Sequence, residues 1–182
     1  MNKEIDISNI ILTTERLTLR PWKESDLNDL YEYASVDGVG QMAGWLPHKT
    51  IDTSKEILNI FIEAKRTFAL EYQGKVIGSL GMERYREKEY PELDGLLGRE
   101  LGYVLSKDYW GRGIMPEAVK AVISYLFETE HLDFIIAAYF DWNRQSARVV
   151  QKCGFEYIKT LTYHTKAGTA VTSIQNILYK SP

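Results

Sequence analysis

Two glycines one residue apart, Gly111 and Gly113, are the residues whose type and spacing most directly suggest chemistry. They follow a strand-like segment over residues 100–105 and precede an amphipathic helical pattern that runs to Phe127. A turn of this kind delivers free backbone N–H groups to the N-terminus of a helix, where the helix dipole also favours negative charge. The pattern therefore indicates a site for phosphate oxygens.

Three kinds of phosphate-binding turn can be compared with this stretch. A nucleoside triphosphate loop requires Gly-Lys-Ser or Gly-Lys-Thr at the helix start, but Gly113 is followed by Ile114 and Met115. A dinucleotide-binding turn requires a third glycine, and Pro116 occupies that position. The remaining kind binds a pyrophosphate through main-chain donors without magnesium, and it tolerates a proline in the first helical turn. The alternative is that the two glycines only shape a connection.

Hydrophobic periodicity predicts the elements that position this turn. Strands are expected over residues 15–21, 67–72, 75–83, 100–105, 133–139, 155–163 and 171–179. Helices are expected from Ser25 to about residue 36, from the mid-fifties to the mid-sixties after a capping box at Thr53, over residues 114–127, and from Asn143 to Cys153. The predicted fold class is α/β (α+β), with about four helices on a mixed, mostly antiparallel sheet of six or seven strands.

Tight turns and loops add further expectations. Gln73-Gly74 predicts a hairpin between two of the strands, and a turn at residues 166–168 predicts another at the end of the chain. Gly78 and Gly81 suggest a bulge or a close neighbour within their strand. Trp45 is expected to plug the core under its loop, the alternative being a substrate-lining role. Residues 85–98 are expected to form a solvated acidic connection, or else an acidic rim that attracts a cationic substrate.

Composition limits the classes of function. The chain has 182 residues, 45% of them hydrophobic, which fits a single domain over residues 1–182. A formal net charge of -3 provides no basic field for nucleic acid or an anionic membrane. One cysteine, Cys153, excludes an internal disulfide, and three scattered histidines give no metal-ligand spacing. Residues 1–6 lack the features of a signal peptide, and no segment has the length of a membrane span, so the expected location is the cytoplasm.

Several motifs together resemble the Gcn5-related N-acetyltransferase (GNAT) superfamily. The strand, turn and helix over residues 103–127 are similar to its acetyl-CoA motif. Asn143-Arg-Gln-Ser146 and Lys152-Cys-Gly-Phe155 resemble the branch of ribosomal-protein alanine and serine N-acetyltransferases, and so do residues 14–20 and Trp45-Leu-Pro47. One departure is Asp108, which stands where the family has Gln or Arg at the head of the turn.

The resemblance implies a central pair of parallel strands that splay apart around acetyl-CoA, with no metal. It implies that the pantetheine pairs with the backbone of Val104 and Leu105 and contacts Asn143. It also implies that Ser146 donates a hydrogen bond to the leaving sulfur. The residues that it implies for the pyrophosphate are those of the turn: Trp110, Gly111, Arg112, Gly113, Ile114 and Met115.

Acetyl transfer to an amine needs a base that removes a proton near the operating pH. Glu100, which begins the strand that leads into the turn, is the first candidate, and Glu83, late in the neighbouring strand, is the second. The alternative for Glu100 is a solvated carboxylate or an ion pair with Arg99 or Arg84. Some relatives carry a tyrosine acid at the position of Val150, so a tyrosine acid on this helix is not available.

The expected acceptor is a primary amine, and the N-terminal amine of a protein is one such amine. The alternatives are a small-molecule amine, such as a polyamine, an aminoglycoside or an amino acid, and a non-catalytic acyl-CoA-binding module. The acceptor site is expected around Met42, Trp45 and His48 and at the last hairpin. Cys153 is interpreted as a buried small hydrophobe rather than an acyl carrier. A homodimer is the commonest assembly for soluble proteins of this kind.

Overall fold

A computed structural model describes residues 1–165 and 168–181. Within these residues the strands are β1 Leu12–Thr13, β2 Thr18–Pro21, β3 Thr67–Tyr72, β4 Lys75–Glu83, β5 Gly98–Leu105, β6 Phe134–Phe140, β7 Glu156–His164 and β8 Ala170–Tyr179. The α-helices are α1 Leu27–Ala34, α2 Ile51–Ala64, α3 Ile114–Ser124 and α4 Arg144–Lys152. The predicted class and the four helices are confirmed.

The described strands form one sheet in the order β1-β2-β3-β4-β5-β6-β8-β7. Every neighbouring pair is antiparallel except β5 and β6, which are parallel and are connected through α3. The sheet has eight strands, whereas six or seven were predicted. The additional strand is β1, whose two residues are too few to produce a periodic hydrophobic signal.

The parallel pair separates part-way along its length. Gly98–Leu105 pairs with β6 only through residues 98–101, whose partners run from Phe134 to Ala137. Beyond this point β5 stays paired with β4 as far as Leu105, while β6 stays paired with β8 as far as Phe140. The two strands therefore leave an open wedge in the middle of the sheet.

The hairpin of β3 and β4 has the predicted bounds and turn. Gln73 (φ 51°) and Gly74 (φ 80°) both have left-handed backbone, as a two-residue turn between twisted strands requires. The expected irregularity is also present, because the register shifts between Leu70 and Glu71. A Cβ at Gly78 would lie 2.4 Å from the carbonyl oxygen of Val104, so β5 is the close neighbour that requires a glycine there.

Helix caps agree with the sequence at α4 and differ at α2. Asn143 accepts a hydrogen bond from the N–H of Ser146 at 3.0 Å, which confirms it as the N-cap of α4. The capping box predicted at Thr53 is wrong. The cap is Thr50, whose Oγ1 accepts from the N–H of Thr53, and the helix begins at Ile51.

The two faces of the sheet carry separate apolar cores. On one face, Leu101 and Leu105 pack with α3 and with Val150 of α4. On the other face, Val104 packs against a cluster that contains Leu30 of α1 and Leu58 of α2. Successive residues of β5 therefore point to opposite faces, as strand geometry dictates.

The acidic connection between β4 and β5 is anchored rather than merely solvated. Its charged residues are exposed, but Tyr85, Tyr90 and Leu93 are buried against Phe134 and Ile136 of β6. The prediction of a simple solvated loop was wrong because it weighed the charges and not the apolar residues between them. The turn predicted at residues 166–168 includes Lys166 and Ala167, which lie outside the described residues.

Candidate active site

An open cleft of about 510 Å³ lies where β5 and β6 separate. Its walls come from the end of β5, the turn before α3, the end of β6 and the first turns of α4. The predicted site residues that line it are Glu83, Glu100, Val104, Leu105, Trp110, Gly111, Gly113, Ile114, Met115, Asn143 and Ser146. Arg112 is not among the lining residues; its guanidinium lies over the ring of Tyr109, 5.3 Å from the centroid.

The turn before α3 has the backbone of an anion site. Gly111 (φ 75°) and Gly113 (φ 74°) both have left-handed backbone, which residues with a side chain rarely adopt. A Cβ at Gly111 would meet no atom within 4 Å, so the turn is open on that side. Among the described residues, the N–H groups of residues 111–115 donate to no other group. Several free donors thus converge at the start of a helix.

Trp110 does not provide one of these donors. Its N–H donates to the carbonyl of Lys107 at 3.2 Å, and its indole Nε1 donates to the carbonyl of Leu105 at 2.8 Å. The amide series predicted to begin at Trp110 therefore begins at Gly111. The ring instead fixes the turn against the end of β5.

The segment between β1 and β2 supports the turn. Arg16 donates from Nη1 to the carbonyl of Arg112 at 2.9 Å and from Nε to Glu117 of α3 at 2.7 Å. Thr14 also donates to Glu117, at 2.6 Å. The helix start is thereby tied to the segment before β2, a contact that the sequence pattern did not reveal.

The open backbone edge of β5 differs from the predicted one. The carbonyl of Val104 faces β4, where it lies against Gly78, whereas Leu97 uses its carbonyl to accept from β6. Because backbone groups alternate along a strand, Tyr103 and Leu105 face the wedge, and Val104 does not. The Leu105 carbonyl is already used by Trp110. The prediction of Val104 as a main-chain partner is corrected to Tyr103.

Glu100 and Glu83 are directly opposed across β5 and β4. Arg66 pairs with Glu83 at 2.9 Å, while Glu100 accepts no hydrogen bond from the described residues. Burial raises the pKa of the Glu100 carboxyl to about 7; Arg86 opposes this rise and Glu83 adds to it. A carboxyl with this pKa exchanges its proton near neutral pH.

The ion pairs suggested for Glu100 are absent from the described residues. Arg99 points to the other face of the sheet, where it is buried and donates to the carbonyl of Lys3. Arg84 pairs with Glu4. Strand alternation separates Arg99 from its neighbour Glu100, so adjacency in sequence was misleading here.

The side chain of Asn143 makes a hydrogen bond through its oxygen and another through its nitrogen. Its oxygen caps α4, and its Nδ2 donates to the carbonyl of Met42 at 3.1 Å. Asn143 therefore joins α4 to the loop before α2, and it is buried. Of the three loop residues expected near an acceptor, only Met42 lines the cleft; Trp45 packs against His48 with ring centroids 5.1 Å apart.

The hydroxyl of Tyr103 lies 2.7 Å from Oγ of Ser146, inside the cleft. Tyr103 was missed among the site residues, although its position could have been inferred. It lies on the same face of β5 as Leu101 and Leu105, which is the face that α3 and α4 cover.

A family profile for the acetyltransferase (GNAT) domain matches residues 16–156 of this chain. The chain belongs to the GNAT acetyltransferase family. It is 30% identical over 156 residues to a protein of Bacillus subtilis named an uncharacterised N-acetyltransferase, YoaA, and the match covers 80% of this chain and 82% of that protein. It is therefore an acetyl-CoA-dependent N-acetyltransferase.

This acetyltransferase also has a shorter match to a named enzyme and a structural similarity to a solved protein. It is 38% identical over 56 residues to the ribosomal protein uS5-alanine N-acetyltransferase of Escherichia coli. This match covers 31% of this chain and 29% of that enzyme. The crystal structure of a GNAT-family acetyltransferase from Bacillus anthracis superposes with a TM-score of 0.80 at 20% identity, covering 93% of this chain and 98% of that one. The latter similarity shows the shared fold.

The cleft of the acetyltransferase fits acetyl-CoA. The free N–H groups of residues 111–115 suit a pyrophosphate, and the wedge beside Tyr103 and Leu105 is open to a strand-like chain such as pantetheine. Bound there, acetyl-CoA supplies the activated acetyl group. Within the described residues, no helix is long and apolar enough to cross a membrane, and no group of three or more His, Cys, Asp or Glu residues could hold a metal ion.

Proposed function

We propose that this acetyltransferase acetylates a primary amine, namely the N-terminal amine of a protein, with Glu100 as the base. The observation that carries the proposal is the position of Glu100, a half-buried carboxyl with a pKa raised to about 7 by burial, in the wall of the cleft. An amine that has lost its proton is the nucleophile, and a base with a pKa near neutrality removes that proton efficiently at physiological pH.

The two faces of the sheet separate the two substrates. The turn residues 111–115, Tyr103 and Ser146 lie on the side of α3 and α4, which we assign to acetyl-CoA. Glu83 and Glu100 lie on the side of α1 and α2, together with Met42, Phe140 and Tyr163 in the cleft wall; we assign this side to the acceptor. The amine and the thioester then meet in the wedge between β5 and β6, which aligns them for reaction.

With this assignment of the two sides, Glu100 carries protons from the acceptor amine to solvent. The ammonium group of the acceptor is attracted by Glu83 and Glu100 and gives one proton to Glu100. Glu100 passes this proton to solvent. After the amine nitrogen bonds to the acetyl carbon, Glu100 accepts the second proton that this nitrogen loses and passes it to solvent as well. Ser146 donates a hydrogen bond to the departing sulfur. The amides of residues 111–115 and Leu105 hold the donor substrate in place throughout.

The choice of a protein N-terminus is supported by the similarity to the uS5-alanine enzyme. The second candidate is a small amine such as a polyamine, which the opposed carboxylates of Glu83 and Glu100 would also suit. We further propose that residues 1–182 act as a single catalytic domain in the cytoplasm.

A panel assay tests the proposed function. The purified protein is incubated with acetyl-CoA and, in separate wells, with peptides that begin with Ala or Ser, with polyamines, with aminoglycosides and with free amino acids. Release of the CoA thiol is followed with a thiol-reactive chromophore, and the products are identified by mass spectrometry. We expect peptide α-amines to be acetylated. Turnover of small amines alone would favour the second candidate, and binding of acetyl-CoA without turnover of any amine would overturn the proposal.

A further inference from the structure

The Tyr103 hydroxyl is a polar group in the cleft that the proposed mechanism does not yet use. It lies 2.7 Å from Ser146 Oγ, and it lies 3.4 Å from the Ser146 carbonyl oxygen, which is a much weaker geometry. The two residues come from β5, which forms one edge of the wedge, and from α4, which lines the cleft. The contact therefore bridges the wall that we assign to acetyl-CoA.

Both partners of this contact are held in place. The ring of Tyr103 packs against the core that contains Leu101, Leu105 and Val150. Ser146 is in the first turn of α4, where its N–H donates to Asn143 at 3.0 Å. A hydroxyl on a fixed backbone retains only rotation of its side chain, and the hydrogen bond to Tyr103 removes that freedom.

The direction of the hydrogen bond follows from the chemistry of the two hydroxyls. A phenol is the stronger donor, so Tyr103 donates to Ser146 Oγ, and the proton of Ser146 remains available to a group in the cleft. Burial raises the pKa of the Tyr103 hydroxyl. The reference pKa of tyrosine is about 1.5 units above that of a thiol. Proton transfer from Tyr103 to the thiolate is therefore disfavoured by more than about tenfold. Tyr103 is therefore a hydrogen-bond donor and not a proton source.

We propose that Tyr103 is a positioning residue that directs the hydroxyl proton of Ser146 at the sulfur of CoA and so stabilises the thiolate. The assignment rests on the proposed placement of acetyl-CoA. During transfer the bond between carbon and sulfur breaks, and the sulfur keeps the electron pair. Ser146 donates a hydrogen bond to it without losing its proton, and the thiolate is later protonated by solvent.

The ionisation of bound CoA tests this role without any acceptor. Thiolate absorbance in the ultraviolet is titrated against pH for the complex of CoA with the wild-type protein and with Tyr103→Phe. We expect the pKa of the bound thiol to be higher in Tyr103→Phe by about one unit, a tenfold change that one charge-assisted hydrogen bond can produce. Cys153 does not interfere, because burial raises the pKa of its thiol to about 11.

Two further variants test whether a change in the thiol pKa comes from the hydrogen bond between Tyr103 and Ser146. Ser146→Ala should raise the thiol pKa as much as Tyr103→Phe does, and the double variant should raise it no further, because both act through one hydrogen bond. Tyr125→Phe is the matched control: it removes another buried tyrosine hydroxyl, bonded to Glu130 outside the cleft. It should lower the melting temperature and leave the thiol pKa unchanged.

The outcomes separate the two proposals. If CoA binds and its thiol pKa is the same in the wild type, Tyr103→Phe and Ser146→Ala, the positioning role is wrong and the proposed function stands. An additive effect of the two substitutions would also contradict a shared hydrogen bond. If the wild-type protein does not bind CoA in calorimetry, the placement of the donor substrate fails, and the role of Tyr103 fails with it.

Discussion

At the scale of single residues, environment separates two identical carboxyl groups. Glu83 and Glu100 are opposed across two strands, yet Glu83 has Arg66 as an ion-pair partner, whereas Glu100 accepts no hydrogen bond from the described residues. Burial raises the pKa of Glu100 to about 7. Two neighbouring carboxyl groups in different surroundings can take different roles, one electrostatic and one in proton transfer.

Glu100→Gln tests the base. A general base is active when it is deprotonated, so the wild-type kcat/KM should rise with pH through about 7. The substitution should lower the rate about 100-fold or more and abolish that rise, because glutamine has no proton to exchange. The measurement is kcat/KM between pH 5 and pH 9, with acetyl-CoA affinity measured separately and expected to be nearly unchanged. A variant that retains the rise near pH 7 would exclude Glu100 as its source.

We also expect Glu100→Gln to change the free energy of unfolding in a way that depends on pH. A carboxyl whose pKa is raised on folding does not destabilise the folded state below its unfolded pKa of about 4.5, because it is neutral in both states there. The cost appears as pH rises from about 4.5 to 7, because the unfolded chain loses the proton first. Above pH 7 it reaches at most about 3 kcal/mol, and partial exposure reduces it. Glu100→Gln should therefore gain stability relative to the wild type at pH 8 but not at pH 4.5.

Urea unfolding at the two pH values measures this difference. Glu56→Gln is the control, since Glu56 is exposed on α2 and the described residues form no hydrogen bond or ion pair with it. Its effect should be equal at both pH values. A pH-independent effect of Glu100→Gln would mean that the pKa of Glu100 is not raised by folding.

At the scale of elements, the strand, turn and helix around Gly111 work as one unit. The end of β5 is fixed by the indole of Trp110, and the start of α3 is fixed by Arg16 through Glu117 and the carbonyl of Arg112. These contacts hold the turn without using the N–H groups of residues 111–115. Because these contacts are made within the chain, they restrict the turn, and a restricted turn loses less conformational entropy on binding a ligand.

Gly111→Ala tests the turn, and Gly74→Ala provides its control. Both glycines have left-handed backbone (φ 75° and 80°), and at both a Cβ would meet no atom within 4 Å. Both substitutions should therefore cost a similar amount, about 1–2 kcal/mol, in the free energy of unfolding. Only Gly111→Ala should weaken acetyl-CoA binding, by about tenfold or more, because its methyl group and the altered backbone disturb the anion site.

Calorimetric titration of acetyl-CoA, with thermal unfolding of each variant, measures both effects. Equal affinity in the two alanine variants would show that Gly111 only shapes the connection. Equal loss of affinity in both would attribute the change to general destabilisation, since Gly74 lies in the turn of the β3–β4 hairpin and does not line the cleft.

At the scale of the whole molecule, the cleft opens through the sheet rather than on one side of it. The wedge exists because β5 pairs only with β4 beyond residue 101, and β6 pairs only with β8 beyond residue 137, among the described residues. Separate apolar clusters pack on the two faces of the sheet. On our proposed assignment, the donor and acceptor sides meet in this wedge.

A conjugate of the two substrates tests this arrangement. CoA joined through its sulfur, by a two-carbon acyl linker, to the amine that the panel assay identifies should occupy both sides at once. We expect it to bind at least about 100-fold more tightly than CoA alone, because the second contact becomes intramolecular. Competition against acetyl-CoA measures the affinity. A conjugate that binds no better than CoA would contradict the assignment of the acceptor side.

The sequence by itself determined the features that depend on neighbours along the chain. The bounds of the β3–β4 hairpin followed from alternation and from Gln73-Gly74, and the N-cap of α4 followed from Asn143. The strand, the glycine turn and the helix around Gly111 likewise followed from local sequence. In each case the deciding hydrogen bonds or backbone angles involve residues only a few positions apart.

Tertiary structure decided which side chains face one another across the sheet. Arg99 and Glu100 are adjacent in sequence but lie on opposite faces, and the Glu100 pKa depends on burial and on Arg86. The approach of Tyr103 to Ser146 joins residues 43 positions apart. A sequence pattern fixes the alternation of a strand, but not what packs against each face, because that packing is set by contacts between distant segments.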